Sequence, residues 1–153
     1  MVTIRRAEMK DAPAIARLVE ALLTELSGDG LAPVAPVAPV APVARQLLAG
    51  QQVIGLLAES DRRAVGVMML NRCAAIYAGG GFGEISELYV DPAFRSRGVA
   101  AELLGFAREV ARREGWTRLE AGAPAQPAWA RSLAFFEREG FAEVGPRLRW
   151  VAA

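Results

Sequence analysis

The 153-residue chain contains no histidine, and this absence removes several classes of chemistry. Without imidazole there is no Ser-His-Asp or Cys-His nucleophile, no histidine metal ligand and no imidazole acid–base catalyst. Cys73 is the single cysteine, so an internal disulfide and a thiolate metal cluster are both excluded. Any proton transfer must therefore use carboxylates, tyrosine, serine, cysteine, the backbone or water.

Net charge is small, and long hydrophobic runs are missing. Eighteen basic residues against seventeen acidic ones leave a formal charge of +1, which creates no global field for nucleic acid or an anionic membrane. Hydrophobic residues make up 53% of the chain, yet no apolar run reaches the ~20 residues of a membrane span. The N-terminus lacks a signal-peptide pattern. We expect one domain over residues 1–153, in the cytoplasm, with no nucleic-acid or membrane partner.

A strand, a cationic loop and a long amphipathic helix follow one another from Glu84 to Glu114. Residues 85–90 include β-branched and aromatic residues, and Asp91-Pro92 ends the strand. From Val99 apolar residues recur at helical spacing. The intervening loop therefore lies where unpaired N–H groups and the positive end of the helix dipole favour an anion. It reads Arg95-Ser96-Arg97-Gly98-Val99-Ala100 and lacks the G-K-[ST] of a Walker loop, so nucleotide hydrolysis is not expected.

Hydrophobic patterning over the rest of the chain predicts an α/β (α+β) fold, with one mixed sheet of about seven strands and helices on both faces. Besides the strand before the loop, strands are predicted over residues 2–6, 53–59, 64–77, 118–122, 141–144 and 148–151. Further helices are predicted from a capping Asp11 to about residue 26, over residues 44–49, and over residues 129–139.

Two low-complexity stretches interrupt this pattern. Residues 32–43 repeat Ala-Pro-Val four times, which predicts an extended or polyproline-like segment. This segment is either a linker or a mobile lip over an acceptor site. Residues 78–83, AGGGFG, lead into a strand and lack the G-x-G-x-x-G register, so we interpret them as a flexible hairpin connection.

The loop also resembles a known motif. The [Q/R]-x-x-G-x-[G/A] signature of the GNAT superfamily of acetyl-CoA-dependent N-acetyltransferases is met by Arg95, Gly98 and Ala100 after ELYVDP. The resemblance extends over most of the chain, and AFFEREGF near the C-terminus is similar to the family's closing motif. It implies acetyl-CoA as co-substrate and no metal. It also implies that backbone amides of the loop hold the pyrophosphate, while the pantetheine arm pairs with the preceding strand. The implied coenzyme-binding residues are Leu88, Tyr89, Val90, Arg95, Ser96, Arg97, Gly98, Val99, Ala100 and Ala101.

Glu87 is the main catalytic candidate. On a regular strand it would share a face with Ile85 and Tyr89, where it is either a general base acting through water or one half of an ion pair with an arginine. The family alignment puts Phe136 where many members have a thiol-protonating tyrosine, and Trp129 where an asparagine often contacts the pantetheine. Proton-donor candidates are therefore Ser132, Tyr89 and Tyr77, although the favoured interpretation of Ser132 is that it simply faces a small gap.

The resulting functional prediction is acetyl transfer from acetyl-CoA to a primary amine by direct attack on the thioester. A small-molecule acceptor is favoured because no acidic groove for a lysine-rich peptide is evident. The alternatives are a protein N-acetyltransferase, an acyl-CoA-binding module with weak or no catalysis, and a binder of another phosphorylated ligand. The apolar residues 148–151 form a candidate edge for pairing in a homodimer.

Overall fold

The computed structural model describes residues 1–28, 38–123 and 129–152. Its five-stranded sheet has the order β1-β2-β3-β4-β5, in which the first four strands pair antiparallel and β5 runs parallel to β4. The predicted α/β class with a mixed sheet is confirmed. The strands are β1 (Thr3–Arg6), β2 (Val53–Ser60), β3 (Arg63–Ala75), β4 (Gly80–Val90) and β5 (Leu119–Ala121). The helices are α1 (Ala12–Gly28), α2 (Val40–Ala49), α3 (Val99–Glu114) and α4 (Ala130–Arg138).

The chain divides into two compact units, Met1–Ala121 and Gly122–Ala153. The first unit contains the whole sheet with α1, α2 and α3, and the second contains α4. Among the described residues, no helix combines the length and the apolarity that crossing a membrane requires.

The prediction of about seven strands is wrong, because the two closing strands do not form. The described residues after α4 have no regular secondary structure, and Leu148, Trp150 and Val151 are 90%, 86% and 71% exposed. An isolated β-prone segment has no ladder partner to satisfy its backbone groups. Pro146 also follows Gly145, which has φ 126°, so the chain bends between the two predicted strands.

The two faces of the sheet are covered by different helices. One face belongs to a core cluster that α1 and α2 cover, in which Ile15 and Leu18 pack with Val67 and Met69 of β3. On the other face α3 lies against the sheet, and Gly66 is so close that a Cβ there would come 3.4 Å from Leu103 Cδ1. The burial of apolar side chains on both faces of β2 and β3 explains their near-continuous hydrophobic sequence.

The hairpin between β3 and β4 is longer than predicted. Residues 80–83 belong to β4, although the glycine run predicted a flexible connection. Glycine is required here because the ring of Trp116 packs directly on the strand, where a Cβ at Gly83 would lie 2.3 Å from Trp116 Cζ3. Gly83 therefore makes room for an aromatic side chain from beyond α3.

The Ala-Pro-Val segment ends inside a helix. Helix α2 begins at Val40, whereas the repeat predicted extended chain as far as residue 43. Pro42 is tolerated because the first N–H groups of a helix have no intrahelical partner. Residues 29–37, which hold the earlier part of the repeat, lie outside the described residues.

Asp11, predicted to cap α1, lies in a 3-10 turn at Met9–Asp11 just before that helix. Its carboxylate accepts hydrogen bonds from the backbone N–H of Glu8 and from both terminal nitrogens of Arg5. The Arg5 guanidinium holds the pKa of Asp11 below its usual range, mainly through these hydrogen bonds. Asp11 therefore ties the start of α1 to β1.

Candidate active site

Within residues 1–28, 38–123 and 129–152, the last residues of β4 have a strand partner on one side only. Strand β5 pairs with β4 at Gly83, Glu84 and Ile85 and ends at Ala121, while β3 pairs along the whole of β4. In the described part of the chain, residues 86–90 therefore have no strand partner on the β5 side. Buried or half-buried backbone groups seek partners, so this edge is suited to an extended ligand.

The chain passes directly from this edge into the start of α3. Asp91 caps the short turn Pro92–Phe94 by accepting a hydrogen bond from the Ala93 N–H at 2.9 Å. Ser96 and Gly98 then adopt left-handed conformations, with φ 61° and 78°. Among the described residues, no side chain caps α3, whose N-cap residue is Gly98. The predicted loop therefore presents helix N-terminal N–H groups at an exposed surface.

The two loop arginines have different surroundings. Arg95 donates from Nη1 and Nη2 to the two carboxylate oxygens of Glu25, at 2.9 and 2.7 Å, and from Nε to the carbonyl of Val90 at 2.9 Å. Its guanidinium also lies 5.3 Å from the centre of the Tyr89 ring. Arg97 instead lies over Phe94 at 5.4 Å and is paired with no carboxylate among the described residues. Arg97 is thus the better placed of the two to meet a ligand phosphate.

A β-bulge determines where Glu87 lies. Met69 pairs with Glu87, but the next residue, Leu70, pairs with Ile85, so Ser86 is an extra residue in β4. Paired residues share a face of a sheet, and neighbours along a strand alternate. Glu87 therefore lies on the Met69 face, which α1 covers, whereas Ile85 lies on the α3 face. The prediction that Glu87 and Ile85 share a face is wrong for this reason, while Tyr89 does share the face of Glu87.

The Glu87 carboxylate is half-buried and accepts a hydrogen bond from the hydroxyl of Ser86. The ion pairs of the described residues do not include Glu87, which argues against the ion-pair interpretation. A half-buried carboxylate held by a neutral hydroxyl can accept a proton directly or through water.

The two tyrosines are placed at opposite ends of β4. Tyr89 is buried beside Glu87, and this burial raises the pKa of its phenol, with the negative charge of Glu25 adding to the effect. Tyr77 is 69% exposed at the hairpin turn, under the guanidinium of Arg118. Roughly 23 Å of strand separates Gly80 from Glu87 at about 3.3 Å per residue. Only Tyr89 is therefore near Glu87.

Ser132, Phe136 and Trp129 belong to the second unit. Ser132 is half-buried in the first turn of α4, and its N–H donates to the carbonyl of Trp129 at 3.1 Å. Phe136 is buried between Phe135 and Phe141, with ring centroids 5.3 and 5.1 Å away. Phenylalanine supplies packing and no proton. The catalytic role of Ser132 stays a prediction.

An open, mainly apolar groove of about 450 Å³ lies at the other end of β4, lined by Ala74, Ala75, Ile76, Gly79 and Gly80. It has no ionisable lining residue and lies far along the strand from Glu87. The described residues hold no group of three or more Cys, Asp or Glu side chains arranged to bind a metal.

Sequence reasoning missed two residues that contact the predicted site. Glu25 is 70 positions from Arg95, and helical periodicity predicts only that it lies on the polar side of α1. Ser86 becomes a partner of Glu87 through the bulge, which depends on pairing with β3. The two consecutive polar residues Ser86 and Glu87, inside an otherwise apolar strand, were the one feature of the sequence that indicated the bulge.

The mixed sheet, the one-sided end of β4 and the start of α3 define an α/β protein with a candidate anion-binding loop directly after a strand. The model of the acetyltransferase (GNAT) family matches residues 17–141. The chain therefore belongs to the GNAT acetyltransferase family, which confirms the predicted family and enzyme class. A comparison with curated proteins gives no match.

Solved structures support the same fold. The chain is similar to a ribosomal-protein-alanine N-acetyltransferase from Brucella melitensis biovar Abortus 2308, with 23% identity, TM-score 0.72, and coverage of 100% of this chain and 99% of that one. It is similar to the aminoglycoside acetyltransferase meta-AAC0020 from an uncultured soil metagenomic sample, solved with sisomicin, at 14% identity, TM-score 0.77 and coverage of 99% and 95%. It is also similar to aminoglycoside N-acetyltransferase AAC(6')-Iy in complex with CoA, at 17% identity, TM-score 0.78 and coverage of 99% and 95%.

Proposed function

We propose that this protein transfers an acetyl group from acetyl-CoA to a primary amine of a small molecule. The observation that carries the proposal is the continuity of the one-sided end of β4 with the uncapped start of α3. An extended arm that pairs with residues 88–90 would bring its phosphates to the loop, where Arg97 and the N–H groups of Gly98, Val99, Ala100 and Ala101 lie. This matches the shape and charge of coenzyme A.

The chemistry requires only groups that this end of the strand provides. The neutral amine attacks the thioester carbonyl carbon, a C–N bond forms, and the C–S bond breaks with release of the thiolate. Glu87, through a water, takes the proton that the amine loses. Backbone N–H groups at the end of β4 beyond its pairing with β5 polarise the thioester carbonyl. A thiol with pKa of about 8.5 is a fair leaving group, so the thiolate can take its proton from water.

The acceptor class is tested by thiol release with a panel of amines. Acetyl-CoA is incubated with the protein and with an aminoglycoside, a polyamine, free lysine, or a peptide with N-terminal alanine. We expect acceleration by at least one of the small amines and little by the peptide. If only the peptide accelerates thiol release, the protein is a protein N-acetyltransferase and the small-molecule proposal is wrong.

Two other outcomes would overturn the proposal. If the protein binds acetyl-CoA in calorimetry but no amine accelerates thiol release above background, it is a coenzyme-binding module without catalysis. If acetyl-CoA gives no heat and another phosphorylated compound does, the loop serves a different ligand.

A further inference from the structure

Arg95 is held from three directions by groups of the protein itself. Glu25 near the end of α1 binds it through two parallel hydrogen bonds, Val90 at the end of β4 accepts its Nε–H, and the Tyr89 ring lies beneath it. A bidentate pair of this kind fixes the orientation of the guanidinium as well as its position. The side chain therefore connects the loop to α1 and β4.

The loop needs such a connection because its backbone conformation is unfavourable. Ser96 follows Arg95 directly and has φ 61°, a left-handed conformation that non-glycine residues rarely adopt. Ser96, Arg97 and Gly98 are exposed, so little packing holds them in place. The buried Val99 anchors the far side of the loop, and Arg95 is the corresponding anchor on the near side.

We propose that Glu25 is a positioning residue that acts through Arg95 to hold the loop in its coenzyme-binding conformation. This inference rests on the proposed function, since it assumes that the loop binds the pyrophosphate of coenzyme A. It assigns a role in donor binding to α1, a helix that the family motif in the loop does not include. Arg95 then supports the loop, and Arg97 remains the arginine that meets the ligand.

The sign of one substitution separates this role from a simple charge effect. Glu25→Gln removes a negative charge close to an anion-binding loop, and by Coulomb attraction alone it would tighten coenzyme A binding. If Glu25 positions the loop, the same substitution weakens binding, because the bidentate pair with Arg95 is lost. Glu102→Gln is the matched control, since Glu102 lies exposed in the first turn of α3 and its described contacts include no ion pair.

Calorimetry with coenzyme A tests the inference on the full chain. We expect Glu25→Gln and Arg95→Gln each to weaken binding by about five- to tenfold, and the double variant to be no weaker than either single one. Glu102→Gln should bind equally or slightly more tightly. Arg97→Gln should weaken binding independently, so that its effect multiplies with that of Glu25→Gln.

Steady-state kinetics supply a second readout. Glu25→Gln should raise the KM for acetyl-CoA with little change in kcat at saturation, because the reacting atoms lie elsewhere. Glu25→Asp keeps the charge but is too short to keep both hydrogen bonds, so it should behave like Glu25→Gln. If a Glu25 variant fails to fold, Arg95→Lys gives the same test. Lysine keeps the positive charge but cannot form the two parallel hydrogen bonds to Glu25, so the KM for acetyl-CoA should rise in the same way.

The outcomes are distinguishable. Wild-type protein that binds no coenzyme A would overturn the proposed function and this inference with it. Wild-type binding together with equal or tighter binding by Glu25→Gln would overturn the inference alone. Multiplicative effects of the Glu25 and Arg95 variants would also overturn it, because the two residues would then act separately.

Discussion

Around Gly83, strand β4 is paired on both sides and covered by Trp116, whereas around Leu88 its only strand partner among the described residues is β3. The first region uses its residues for packing, and even a methyl group would collide there. The second region leaves backbone groups without a strand partner and adds a carboxylate and a tyrosine on the same face. The candidate active site therefore lies where β4 no longer has β5 beside it, a few residues after the part of the same strand that is paired on both sides.

We call the part of β4 around Leu88 the open end and the part around Gly83 the closed end. The largest effect is expected from Glu87→Gln, at the open end. An amide has nearly the same shape but cannot take a proton, so kcat should fall by about 10²- to 10⁴-fold. Coenzyme A affinity, measured by calorimetry, should stay unchanged because Glu87 is proposed to act on the amine. A fall in kcat below about threefold would remove Glu87 as the general base.

Gly83→Ala is the corresponding test at the closed end. A Cβ there would lie 2.3 Å from Trp116 Cζ3 and 2.9 Å from Leu119 Cδ2. We expect the free energy of unfolding to fall by about 1–3 kcal/mol in chemical denaturation. Gly81→Ala is the matched control, since its nearest new contact is 3.5 Å away and should cost little. Equal stability of the two variants would contradict the close packing of Trp116.

Tyr89→Phe tests the open end at alkaline pH. Because burial raises the pKa of Tyr89, the folded protein holds the neutral phenol more strongly than the unfolded chain does. This stabilisation is present below the ordinary tyrosine pKa of 10.0 and is lost as pH rises through the folded pKa. The wild type should therefore lose stability above about pH 10 relative to Tyr89→Phe, in denaturation at several pH values.

Glu114→Gln tests the closed end at acidic pH and has the smallest expected effect. Arg72, which pairs with Gly83 across the sheet, lowers the pKa of Glu114 by hydrogen bonding to it. The pair contributes about 0.2–1 kcal/mol. Its contribution is complete above the ordinary glutamate value of 4.5 and is lost as pH falls through the folded pKa.

Acid denaturation followed at several pH values checks this. The difference in unfolding free energy between wild type and Glu114→Gln should shrink toward zero at low pH. Glu109→Gln, on the same helix with a more exposed partner in Arg112, should give a smaller difference at neutral pH. A difference that stays constant down to the lowest pH would contradict the role of the ion pair.

The sequence predicted those features whose cause lies within a few neighbouring residues. Helices α1 and α3 follow from 3.6-residue periodicity, and the end of α3 at Gly115, with φ 74°, follows from local backbone chemistry. The loop was found because its motif is contiguous. The family followed from the same contiguous residues.

Other features depend on partners distant in the chain and were missed. The close packing at Gly83 of β4 depends on Trp116, the face of Glu87 depends on the pairing of β3 at Met69, and the orientation of Arg95 depends on Glu25. The predicted closing strands had the right composition, but strand formation needs a neighbour that composition does not supply.

The bulge at Ser86 has a consequence for insertions and deletions in β4. Removing Ser86 would convert the ladder to a regular one and leave Ile85, Glu87 and Tyr89 on the faces they now occupy. Removing Leu88 instead would shift the register by one residue. Either the residues between the bulge and the deletion or those after the deletion would then move to the opposite face of the sheet. At Ser86, therefore, β4 can lose one residue while Glu87 and Tyr89 stay on the face of the sheet that α1 covers.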